Sequence, residues 1–119
     1  MTTWVAIFIG GGFGSIARFA IGLGCSQFWN VSYPVATLLS NVVSCIILAG
    51  VINAFDPALS DNRIVRNALM IGFCGGFSTF STFSYETVQL IKSGNHLAAA
   101  GNTIVSVGVC LILLYKLTK

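Results

Sequence analysis

Charge is the scarcest commodity in this sequence. Charged side chains make up 8% of the 119 residues, against about a quarter in an ordinary soluble domain, and a water-facing surface cannot be assembled from so few. Acid is rarer than base, with Asp56, Asp61 and Glu86 its whole complement, and no aspartate falls within an apparent membrane span. Metal-ligand spacing is missing too: Cys25, Cys45, Cys74 and Cys110 are scattered without a CxxC pair and read as small packing residues, three of them inside hydrophobic stretches. No phosphate-binding glycine loop followed by lysine occurs. Gly10-Gly11-Gly12-Phe13-Gly14 looks like a nucleotide motif but lacks the preceding strand such a site needs. These absences argue against an enzyme and against an organic cofactor. A net charge of +3 is too small to suggest a nucleic-acid partner.

What the sequence has in quantity is hydrophobic length. Hydrophobic residues make up 55% of the chain, its mean hydropathy is +0.89, and the few charges leave long uncharged runs between them. A hydrocarbon core about 30 Å thick takes roughly 20 helical residues to cross. The chain therefore predicts a single membrane domain over 1–119, all-α, with four transmembrane helices at about 4–23, 34–55, 65–91 and 96–117. No basic residue precedes Trp4 and no small-residue cleavage site follows a brief apolar run, so the first segment is expected to be a retained helix and not a signal peptide. Gly22 to Tyr33 reads as an interfacial connection, Pro34 suits the first turn of a helix, and Asp56 to Arg63 reads as a polar loop.

The third span is too long. Val65 to Ile91 would measure about 40 Å as a straight helix, and paired glycines and hydroxyls at Cys74-Gly75-Gly76-Phe77-Ser78-Thr79 favour a break near 75–79. With this threading Arg63, Arg66, Lys116 and Lys119 share one side of the membrane, and Lys92 and Arg18 lie toward the other. That bias is weak under the positive-inside rule, so both insertions are open. With no lipidation motif and no soluble domain, a multi-pass protein of a bacterial plasma (inner) membrane is expected. Four helices of this length enclose little space, and a polar pathway forms more easily between copies of the chain.

Within the spans, polar residues fall at helical spacing. Gly10, Gly14 and Arg18 share one face of the first helix, where small residues permit close approach; Arg18 is either buried against protein or snorkelling toward the headgroups. Thr37, Asn41 and Cys45 share a face of the second, with Ser44 beside them. Asn41 either holds two helices together or offers its two N–H donors to an anion. The third span carries Phe80 and Phe83, three residues apart, among Ser78, Thr79, Ser81, Thr82 and Ser84. Core packing alone would explain the two rings, but their positive edges together with small hydroxyl donors also suit a strongly hydrated anion. Asn102, Ser106 and Cys110 draw a polar line down the fourth helix, either a packing seam or a pore wall. Glu86, near the end of the third, reads as an interfacial or paired carboxylate, and His96 as interfacial.

The runs Gly10-Gly11-Gly12-Phe13-Gly14-Ser15-Ile16-Ala17-Arg18, Thr37-Leu38-Leu39-Ser40-Asn41 and Gly72-Phe73-Cys74-Gly75-Gly76-Phe77-Ser78-Thr79-Phe80-Ser81-Thr82-Phe83-Ser84 carry a resemblance. Over its whole length the chain resembles the Fluc, or CrcB, family of bacterial fluoride channels. The resemblance implies an antiparallel, dual-topology homodimer with two fluoride pores, and passive export of fluoride that entered the cell as hydrogen fluoride. It implies that Phe80 and Phe83 meet fluoride with their ring edges, that Asn41 lines the same pathway, and that Ser81 and Thr82 supply hydroxyls deeper in it. Asn102, Ser106 and Cys110 match a polar track on the fourth helix, where many relatives have tyrosine at the first position and serine at the last. Arg18 matches a vestibule arginine. Backbone carbonyls of Gly75 and Ser78 from both subunits would hold a structural Na+ at the dimer centre; many relatives have threonine in place of Ser78, which leaves a backbone ligand intact.

Two other readings compete. A small four-helix multidrug or cation exporter has similar length and topology but needs a carboxylate in its first helix, where this chain has Arg18 and no acid. A non-transporting membrane subunit would account for the glycine faces but not for the clustered Ser, Thr and Phe residues.

Overall fold

A computed structural model describes residues 2–28, 34–55 and 63–118. The 56–62 part of the expected polar loop and the 29–33 part of the interfacial connection lie outside the described residues. All elements within them are helical: α1 (Thr3–Phe28), α2 (Val35–Ala54), α3 (Arg63–Asn67), a π-helical segment (Ala68–Cys74), α4 (Gly75–Phe77), α5 (Phe80–Lys92) and α6 (His96–Leu117). They make four rods, with α3, the π segment, α4 and α5 forming the third. Three of the rods, α1, α2 and α6, are each long and apolar enough to cross a membrane.

Two boundaries differ from the sequence reading. α1 does not stop at Leu23 but runs to Phe28, 26 residues, or roughly 39 Å at the helical rise. Gly22, Gly24, Ser26 and Gln27 look like loop residues, but Ser26 donates its hydroxyl to the Leu23 carbonyl at 2.8 Å, so the side chain that would compete with helical bonding is absorbed within it. In the third rod, the helix starts at Arg63, Gly75–Phe77 stays helical, and only Ser78 (φ −83°, ψ 159°) and Thr79 (φ −153°, ψ 117°) are extended. Thr79 then caps α5 by accepting the Thr82 amide on Oγ1 at 3.2 Å, as a hydroxyl N-cap does. Gly94, at φ +88°, turns the chain from α5 into α6, a left-handed conformation that glycine adopts without Cβ strain.

The most extensive packing joins α1 to the π segment, and glycines make it. A Cβ added at Gly10 would lie 2.2 Å from the Ala68 carbonyl oxygen, and one at Gly14 2.3 Å from that of Phe73; reciprocally, Cβ atoms at Gly72 and Gly76 would meet the Ile7 and Gly11 carbonyl oxygens at 2.7 and 2.5 Å. Backbone lies directly on backbone. The wider π turn extends over the same stretch, Ala68–Cys74.

Burial is inverted relative to a soluble protein. Ser40 and Asn102 are buried to 1% exposure, while Trp4, Phe8, Phe80, Leu97 and Tyr115 are each more than three-quarters exposed. Small and polar groups face the interior and large apolar ones face outward, as lipid solvent requires.

Candidate functional site

The break at Ser78 and Thr79 organises the site. A helix that ends leaves carbonyls without intrahelical donors, and side chains from α1 and α2 reach the carbonyls of this stretch. The Cys74 carbonyl accepts from the Ser78 amide at 3.0 Å, the Ser78 hydroxyl at 2.7 Å and the Ser44 hydroxyl at 3.1 Å. The Gly76 carbonyl accepts from Arg18 Nε at 3.1 Å. Arg18 is half-buried and its Nε is turned onto protein.

Asn41 does the most. The Thr79 amide, which an unbroken helix would aim at the Gly75 carbonyl, donates instead to Asn41 Oδ1 at 2.8 Å, and Asn41 Nδ2 donates back to the Thr79 carbonyl at 3.3 Å. The side-chain amide thus pairs with the extended residue much as a neighbouring strand would. Of the two N–H donors that Asn41 offers, one is engaged in holding the extended residue, as the helix-joining alternative expects; the other remains on a side chain that lines the cavity described next.

Two recesses meet at Thr79. The first, about 230 Å³, is walled by Asn41, Cys45, Ser78, Thr79, Phe80, Phe83, Ser106, Val107 and Cys110. It contains no charged residue. Phe83 is buried and Phe80 is 78% exposed; their ring centroids are 5.7 Å apart with planes inclined at 42°, so edges as well as faces are presented. The positive end of α5 opens beside it at Phe80. The second recess, about 430 Å³, is walled by Ser15, Arg18, Phe19, Gly22, Leu23, Ala36, Thr37, Ser40, Thr79 and Glu86. Here Thr37 donates to Glu86 Oε1 at 2.6 Å, while Glu86 Oε2 and the Ser40 hydroxyl are buried without partners among the described residues.

Five of the pathway residues read from the sequence, Asn41, Phe80, Phe83, Ser106 and Cys110, therefore share one wall, and Arg18 belongs to the other recess. Ser81, Thr82 and Asn102 lie outside both. Ser81 is exposed and its hydroxyl is 3.4 Å from Thr79 Oγ1. Asn102 is engaged in packing: it donates to Thr87 Oγ1 at 3.0 Å and accepts from Ser106 at 3.3 Å. Thr87 was passed over in the sequence, although it lies one turn beyond Phe83 on the buried face of α5 and could have been found by that spacing. Ser40 was missed as well, there being no sequence signal to separate a buried hydroxyl from an exposed one in an apolar helix. Gly75 is exposed, and a Cβ there would meet nothing within 4 Å.

Helical rods with inward polar groups, one of them interrupted where its backbone lines a recess, define a membrane protein of the kind that passes small solutes or ions. The description of CrcB-like proteins (Camphor Resistance, CrcB) matches residues 5–116, and the chain belongs to that family. It is 37% identical to a fluoride-specific ion channel FluC of Geobacter sulfurreducens over 94% of this chain and 90% of the relative. A FluC of Phocaeicola vulgatus is 39% identical over 79% and 77% of the two chains, and one of Coxiella burnetii 35% identical over 88% and 86%.

Proposed function

We propose that this protein is a fluoride-selective channel through which F− leaves the cytoplasm passively, protecting the cell against fluoride. The observation that carries the reading is the uncharged recess in which Asn41, Phe80, Phe83, Ser106 and Cys110 converge beside the N-terminal end of α5. A small anion stripped of water needs donors of matching size. An asparagine N–H, hydroxyls, ring edges and the positive end of a helix supply them without a fixed cation that would trap the ion. Arg18, in the neighbouring recess, raises the local anion concentration at a mouth. Ser81 and Thr82 follow Phe80 along the first turn of α5 and extend the hydroxyl supply; Asn102 acts behind Ser106, orienting it through the 3.3 Å bond.

The assembly is an antiparallel, dual-topology homodimer in a bacterial inner membrane. One chain leaves Phe80 largely exposed, and a second copy would close the recess into a pore. A structural Na+ fits the break: the Gly75 carbonyl has lost the Thr79 amide to Asn41, Gly75 faces away from this chain's own side chains, and the extended Ser78 turns its carbonyl out of the helix ladder. Carbonyls of Gly75 and Ser78 from two copies suit a hard cation, which would clamp the two interrupted rods to each other. An exporter driven by cation or proton binding is disfavoured, because α1 has no acid and the one carboxylate among the described residues, Glu86, is bonded by Thr37.

The test is efflux from liposomes loaded with fluoride and followed by a fluoride electrode. Release well above that from empty liposomes supports the proposal, and equal release contradicts it.

A further inference from the structure

The uncharged recess contains something its anion chemistry does not require, two thiols. Cys45 of α2 and Cys110 of α6 both line it, and these two helices pack extensively on each other. Both side chains therefore open onto the same recess from neighbouring helices. All four cysteines are free, yet Cys25 and Cys74 are buried while Cys45 and Cys110 keep partial exposure, the exposure the recess gives them. Two thiols that line one cavity are a candidate ligand pair for a soft metal. They do not suit zinc, which takes four ligands in a closed site, and no group of three or more His, Cys, Asp or Glu residues able to hold a metal occurs among the described residues. A metal content with two sulfurs in line is the alternative left by that donor count.

We infer that Cys45 and Cys110 form a binding site for a two-coordinate thiophilic metal, Hg(II) in particular, and that a metal held there plugs the Asn41, Phe80 and Phe83 recess. Mercury(II) chloride is neutral and avoids the penalty of carrying a bare cation into an apolar region. Each thiol gives up its proton as a Hg–S bond forms and a Hg–Cl bond breaks. Two HCl leave, and no oxidation state changes. The product spans α2 and α6 and puts a heavy atom where an ion would pass. The occlusion rests on the channel reading above; the binding does not.

The experiment uses the purified full-length protein in detergent with HgCl2, read by intact mass, and the same protein in fluoride-loaded liposomes. Wild type and Cys25→Ser are expected to take up one mercury per chain with loss of two protons from Cys45 and Cys110, resistant to a monothiol and released by a dithiol. Cys45→Ser and Cys110→Ser are each expected to lose that bridged species, and their fluoride efflux to need at least tenfold more HgCl2 for block. Equal bridged uptake in these variants, or two singly attached mercury chlorides on wild type, would overturn the site. Bridged uptake with efflux unaffected by mercury overturns the occlusion, and a protein that binds mercury but passes no fluoride at all contradicts the channel reading while leaving the metal site standing.

Discussion

The two recesses on either side of Thr79 are built from opposite materials. One holds the only buried or half-buried ionic groups of the site, Arg18 and Glu86; the other holds none and is walled by an amide, aromatic rings, hydroxyls and thiols. A fixed charge attracts an ion over distance but binds it too firmly to release quickly, whereas weak, well-shaped donors discriminate and let go. On the proposed function, attraction and selection are thus assigned to recesses separated by a single extended residue. Asn41 holds that residue in place through both ends of its amide, so the partition depends on one side chain.

The comparison can be broken most severely at that side chain. Asn41→Asp removes the donor to the Thr79 carbonyl and adds a negative charge to the neutral wall, and fluoride efflux should fall about a hundredfold, the equivalent of roughly 3 kcal/mol, with the size-exclusion profile unchanged. Phe80→Ile keeps an apolar wall but deletes a ring edge; efflux about tenfold slower, roughly 1.4 kcal/mol on the barrier, is the expected result. Arg18→Gln leaves the neutral recess untouched and should lower the rate only about two- to fivefold, with a weaker dependence on ionic strength than wild type. The smallest change is Thr37→Val, which removes the 2.6 Å bond to Glu86 and should lower stability toward thermal unfolding by about 1 kcal/mol, with flux changed less than Arg18→Gln changes it.

Much of this arrangement was legible in the residues, because membrane helices announce themselves by length and hydropathy and because glycines one turn apart mark close packing. Gly10 and Gly14 did so on α1, and Gly72 and Gly76 answer them. The motif in the third rod was legible as a cluster of unlike residues, rings among hydroxyls, that packing alone does not explain. The geometry of each polar contact was not. Asn41 and Asn102 are the same residue type in equivalent settings, yet one clamps an extended backbone and lines the neutral recess while the other is closed off by Thr87 and Ser106. Nothing local distinguishes them; the difference lies in where along the third rod each lands, Asn41 at the extended Thr79 and Asn102 beside the helical Thr87. The π segment likewise has no signature, since ALMIGFC would serve equally as an α-helix and only its packing on α1 distinguishes it. The extension of α1 to Phe28 went unread because Gly22, Gly24 and Ser26 have poor helix propensity, although Ser26 satisfies its hydroxyl within the helix.

The central claim is that the neutral recess selects a small anion, and paired efflux measures this directly. Liposomes holding the purified protein, loaded in parallel with potassium fluoride and potassium chloride and opened to potassium by valinomycin, should empty of fluoride rapidly while keeping their chloride. Chloride leaving as fast as fluoride, or fluoride retained as in protein-free liposomes, would contradict it.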